Sequence, residues 1–200
     1  MSKNNKINII PNSYTAILCS NNVDKIKLGN AIKNKNDLII TTNAKDNSEE
    51  FDKKIVNLLK INSLMLCDFN TLSIGERQMV QISKALSYNF DRLIVVDAIS
   101  NVSTINKEKI LKYLKKYNNK TIIYITSNKE DIVYFENFIL YDNKVILNDK
   151  LSNVLDKEKE FKLAGFDLPF MPLLSLKLKY YNLLDRPIIS MDRMVDKLWK

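Results

Sequence analysis

Leu72-Ser73-Ile74-Gly75-Glu76-Arg77-Gln78, with Leu93-Ile94-Val95-Val96-Asp97 one helix-length further on, decides how this chain folds. The first stretch reads as a helix start. Ser73 supplies the cap, and the helix runs to about Leu86 with Ile74, Val80, Ile82 and Ala85 packed inward. The second is a continuous, largely β-branched run ending in a carboxylate, the pattern of a parallel strand buried on both faces.

Outward from this core the chain alternates between strand and helix. Upstream, Ile7 to Ile10 and Tyr14 to Cys19 read as strands parted by the turn Pro11-Asn12-Ser13. A helix is expected over Asp24 to Ile32 and a strand over Leu38 to Thr42. Residues 42–48 read as polar loop. A helix follows from Glu49 to Lys60, facing inward through Phe51, Ile55, Leu58 and Leu59. Downstream come a helix at Lys107 to Tyr117, a strand at Thr121 to Thr126 and a short helix at Lys129 to Phe135. Phe138 to Tyr141 and Lys144 to Leu147 then pair as a hairpin across Asp142-Asn143. This alternation predicts an α/β fold around a largely parallel sheet flanked by helices.

Past Asp149 the composition shifts. A charged helical stretch to Lys162 is broken by Gly165-Phe166-Asp167-Leu168-Pro169, and short helices follow around Leu173 to Tyr181 and Ser190 to Leu198. That segment is too small for a core of its own and must dock elsewhere. Two parts are therefore expected, residues 1–148 and a helical extension over 149–200.

Composition narrows the function classes. The chain has 200 residues, 46% hydrophobic and 27% charged, which suits a globular domain rather than a disordered one. No apolar window is long enough to span a bilayer, and no signal-type stretch follows Met1-Ser2-Lys3, so a cytoplasmic location is expected. The net charge of +8 comes from lysines scattered among Asn and Ile, without the aromatic-plus-basic stripe of a single-strand binder; no nucleic acid is expected. Cys19 and Cys67 lack metal or disulfide spacing and read as small buried hydrophobes. The absence of histidine removes the commonest general base and metal ligand, and no metal site is expected. Three glycines, Gly29, Gly75 and Gly165, are too few and too dispersed for a phosphate-cradling loop.

The segment Thr71 to Leu86 resembles the signature helix ("LSGGQ") of ATP-binding-cassette (ABC) ATPases, and Leu93 to Asp97 resembles their Walker B strand. The resemblance implies that Ser73, Gly75 and Glu76 face nucleotide held by an opposite subunit, and that Asp97 stands where the family holds the water shell of Mg²⁺. It equally marks what is missing. Ala98 replaces the catalytic Glu, Ser127 the switch His, and Asn101-Val102-Ser103 occupies the D-loop. Of the Walker A loop, Leu18 to Leu28 keeps only a vestigial Lys25. Cys19 and Asp24 stand for its glycines and Ile26 for its metal-binding hydroxyl, so Lys25 is read as a solvated lysine. No Q-loop glutamine precedes the signature helix, and the resemblance implies a P-loop-NTPase-like largely parallel sheet whose helical subdomain is shortened between Lys25 and Leu72.

Phe161 to Phe170 and Leu174 to Lys179 are similar to the C-terminal extension of energy-coupling factor (ECF) transporter ATPases. The resemblance implies a degenerate subunit with no catalytic residues of its own. It would support a competent partner ATPase and an ECF-type membrane subunit in vitamin or metal-ion uptake. ATP and Mg²⁺ would then bind only in a composite site with that partner. Three rivals stay open: an interaction or regulatory scaffold without nucleotide, a soluble ABC-type protein acting on nucleic acid or ribosomes, and a decaying gene product.

Overall fold

The computed structural model describes residues 7–42 and 50–199. Among the described residues six strands and seven α-helices succeed one another: β1 (Tyr14–Cys19), α1 (Lys25–Ile32), β2 (Leu38–Thr41), α2 (Lys53–Leu59), α3 (Ile74–Ala85), β3 (Arg92–Val96), α4 (Thr104–Leu114), β4 (Thr121–Thr126), β5 (Asn137–Tyr141), β6 (Val145–Lys150), α5 (Glu158–Leu163), α6 (Phe170–Tyr180) and α7 (Met191–Leu198). The strand order is β2-β3-β4-β1-β5-β6. This is the expected α/β class.

The chain divides into two compact units. One comprises Ile9–Thr15 and Asp24–Ile125. Within it β2, β3 and β4 run parallel, with Leu93 opposite Leu38 on one side and Ile122 on the other. Leu93, Ile94 and Val95 are wholly buried, because a strand covered on both faces cannot alternate polar and apolar residues. Gly29 lets α1 lie flush on this sheet. A Cβ there would sit 2.9 Å from Val96 Cγ2 and 3.2 Å from Ile39 Cδ1. Asp52 ties α2 to α4: its Oδ1 caps α2 through the amides of Lys54 and Ile55, and its Oδ2 accepts from the Tyr113 and Tyr117 hydroxyls. Burial, then the nearby carboxylate, raises the Tyr113 phenol well above its ordinary pKa.

The other unit comprises Ala16–Val23 and Thr126–Lys200, with the residues up to Asn8. It holds the antiparallel pair β5–β6 and the three C-terminal helices. Phe138 and Phe161 stack at 5.4 Å and fix α5 against β5. Gly165, at φ 79°, stops α5. Its amide and that of Phe166 bond back to Lys162 and Phe161, a Schellman closure that needs the left-handed conformation. Both carboxylate oxygens of Glu130 accept from the Phe170 amide at the start of α6.

Several expectations are corrected. Ile7 to Ile10 form no strand. Pro11 offers no amide, Asn12 turns the chain at φ 51°, and Ile10 faces solvent. On α2 Ile55, Val56 and Leu59 are buried, Leu58 faces solvent, and Phe51 precedes the helix. Ile74 is 61% exposed, because it opens α3 before the helix meets the core. The charged helix foreseen from 149 begins only at Glu158, after β6 and a single 3₁₀ turn, Leu151–Asn153. Cys67 is exposed, whereas Cys19 is buried. The polar loop expected over 42–48 lies, beyond Thr42, outside the described residues, as does Glu49. Among the described residues no helix is long and apolar enough to cross a membrane.

Candidate functional site

Two clusters collect the residues singled out in the sequence. The first lies at the start of α1 and the end of β3. Asp24 caps α1 by accepting the Lys27 amide at 2.9 Å, so this helix start carries its own anion. That bond, more than any other influence, holds the Asp24 carboxyl below its usual range. Lys25, expected to be solvated, is only 18% exposed, and its Nζ lies 3.0 Å from Asp97 Oδ2. Asp97 takes φ 48°, a conformation that Asp tolerates better than most residues. Its amide donates to the Ile125 carbonyl, and its own carbonyl accepts from Ser100. Beyond it the chain dives inward: Ala98 and Ile99 are buried. Ser127, after β4, is half-buried.

The second cluster is the start of α3. Ser73 and Glu76 form a closed capping box. Glu76 Oε2 accepts from Ser73 N at 2.8 Å and from Ser73 Oγ at 2.6 Å, while the Glu76 amide donates back to Oγ at 3.4 Å. The Ser73 hydroxyl and amide hold the Glu76 carboxyl below its usual range. Gly75 is fixed by packing. A Cβ there would come within 2.6 Å of the Asn101 carbonyl oxygen, a backbone atom that cannot swing aside. One turn on, buried Gln78 accepts the Asn101 amide at 2.8 Å, with Ser100 Oγ 3.4 Å from its Nε2. The sequence had offered Gln78 only as one of two glutamines. Its sign was a polar residue three positions after Gly75, on the same helix face.

The structure thus brings Lys25 to Asp97, Ser73 to Glu76, and Gly75 with Gln78 to Asn101. In the first cluster Lys25 is paired with Asp97, Ile26 has no oxygen to offer a metal, and Asp24 occupies the helix start. Ala98, buried and apolar, can neither accept a proton nor orient water.

The architecture agrees with what the chain is similar to. It is 27% identical over 148 residues to an energy-coupling factor transporter ATP-binding protein, EcfA, of Malacoplasma penetrans, covering 72% of this chain and 51% of that protein. Its relatives are ATP-binding-cassette ATPases. A second, EcfA1 of Mesomycoplasma hyopneumoniae, is 28% identical over 174 residues, 79% of this chain and 59% of that protein. A molybdenum import ATP-binding protein, ModC, of Mannheimia succiniciproducens is 34% identical over 137 residues, 62% and 39% respectively. The chain therefore spans between half and three-fifths of the length of the ECF relatives named here. No family model matches it. Among solved structures, an inward-facing metal-chelate type ABC transporter superposes with TM-score 0.63 at 14% identity, over 80% of this chain and 81% of that one. A dimeric ATP-binding cassette bound to ADP and phosphate gives 0.60 at 17% identity, over 72% and 88%. These likenesses establish the cassette fold.

Proposed function

We propose that this chain is a non-hydrolysing ABC subunit of an energy-coupling-factor type transporter. It works at the cytoplasmic face of the membrane, beside a competent partner ATPase and a membrane subunit, in uptake of a vitamin or metal ion. The observation that carries this reading is the 3.0 Å ion pair between Lys25 and Asp97, with Ala98 buried next to it. Groups that would meet phosphate and metal satisfy each other instead, and no general base follows them. ATP and Mg²⁺ then belong to a composite site on the partner's phosphate loop, to which α3 presents Ser73, Gly75 and Glu76. Ile74, exposed at the same helix start, supplies an apolar contact for that partner. The printed names of the ECF relatives support the transporter class. Residues 149–200 act as an extension that strengthens the pairing.

Co-purification with the partner ATPase, with and without ATP, tests this. Ser73→Arg fills the space above the helix start and abolishes ATP-dependent pairing with the fold intact. Truncation after Asp149 weakens the same pairing. Steady ATP turnover by the isolated chain overturns the reading.

A scaffold without nucleotide contact is the second reading, and Glu76 favours it. Its carboxylate already takes the Ser73 hydroxyl and amide, placing negative charge where a phosphate would approach. Under this reading Ser73→Arg leaves pairing and transport unchanged, while the truncation abolishes both.

A further inference from the structure

A groove of about 970 Å³ opens in the C-terminal part of the unit that holds β5 and β6. That is the size of a site that encloses a small molecule or a few residues of a peptide. Its floor is apolar, made by Phe135, Leu151, Leu155 and Leu184, all buried. Its rim is basic. Arg193 and Lys197 stand one turn apart on α7, with Arg186 and Lys150 also on the lining. Two carboxylates share the rim, but at the limit of pairing: Glu136 lies 3.9 Å from Lys150, and Asp185 lies 4.0 Å from Lys197. The side chains of Arg186 and Arg193 have no ion pair or hydrogen bond among the described residues.

One wall of the groove is backbone outside any helix or strand, Pro187 to Ile189. Ser175, wholly buried on α6, pins it there: the Ser175 hydroxyl accepts the Ile188 amide at 3.0 Å and lies 3.1 Å from the Ile188 carbonyl. The next residue, Ile189, lines the groove. Its amide and carbonyl make no hydrogen bond among the described residues. A backbone edge with a free donor and acceptor at Ile189, above an apolar floor, offers main-chain bonds to a peptide laid along it. Main-chain bonds supply affinity, and alternate side chains supply specificity.

We propose that this groove binds an extended, acidic peptide segment of a partner protein. It lies along residues 187–189, seats apolar side chains on Leu151, Leu155 and Leu184, and sets carboxylates against Arg186 and Arg193. Charge complementarity selects this occupant. Of the rim's four cations, two have carboxylate neighbours and two do not, so an acidic segment completes the pairing and a basic one is repelled. This site does not depend on the nucleotide reading above, since no residue of the α1 or α3 clusters takes part.

The test uses the full chain and a labelled peptide of about ten residues alternating glutamate and leucine, with a lysine–leucine peptide as its mirror. Fluorescence anisotropy reads binding. The acidic peptide binds at micromolar concentration and the basic one about a hundredfold more weakly, and added salt narrows the gap. The double variant Arg186→Glu with Arg193→Glu, both exposed positions, loses the acidic peptide by at least about tenfold and gains the basic one. That reversal distinguishes recognition from a folding defect, because a misfolded variant gains nothing. Equal binding of the acidic peptide by variant and wild type overturns the proposal. So does binding of inorganic pyrophosphate or of anionic phosphatidylglycerol vesicles where the acidic peptide does not bind. Concentration-dependent dimerisation that the double variant abolishes also overturns it, assigning the groove to a second copy.

Discussion

The Lys25–Asp97 end of the sheet and the start of α3 hold their polar side chains in different ways. At the first, an ion pair joins two residues far apart in sequence, beside Asp24, Ile26 and the buried Ala98. At the second, residues of one helix start meet each other and a neighbouring backbone. Ser73 and Glu76 cap a helix, and Gly75 and Gln78 seat that helix on the Asn101 backbone. The start of α3 therefore holds two segments together whether or not a ligand meets it. Lys25 is held instead by a single carboxylate.

The sharpest way to break this comparison is at Gly75. Gly75→Ala drives a Cβ into the Asn101 carbonyl, and overpacking against backbone costs about 3 kcal/mol in urea unfolding. A neutral result would return Gly75 to a role in ligand binding alone. Gln78→Leu removes the acceptor of the Asn101 amide and leaves that donor unmet, at a cost of about 2 kcal/mol. Lys25→Met strands the Asp97 carboxylate and costs about 1 kcal/mol, with nucleotide affinity unchanged. Ser73→Ala opens the capping box and costs about 0.5–1 kcal/mol, a difference that calorimetric melting resolves.

These elements also show what the sequence could reveal. The buried strands were legible because residues such as Leu93 to Val96 permit no other placement, and the β5–β6 hairpin because Asp142-Asn143 can turn. Ile7 to Ile10 misled, since apolar content cannot tell whether a partner strand exists. Ile74 misled because helical spacing does not show where a helix first touches the core. Site residues were legible as types but not as partners. The Lys25–Asp97 pair joins positions far apart in sequence, and the Gly75–Asn101 contact is a backbone approach that no side-chain pattern encodes.

The smallest effect is on pH dependence, and it touches both regions. Asp24 and Glu76 have folded-state pKa values below their unfolded ones, so each contributes stability above the unfolded value and loses it as pH falls through the folded value. The urea midpoint is therefore expected to drop below about pH 4. Ser73→Ala should shrink that drop by removing the hydroxyl bond, the larger of the two Ser73 bonds that lower Glu76, and an undiminished drop would assign the acid sensitivity elsewhere.

The most direct test of the central claim is a calorimetric titration of the isolated chain with Mg·ATP. With Lys25 committed to Asp97 and Asp24 at the start of α1, the account predicts a dissociation constant of about 1 mM or weaker, near 4 kcal/mol of binding free energy. Micromolar binding that disappears in Lys25→Ala would contradict it, showing that the ion pair opens and that the phosphate-binding function is intact.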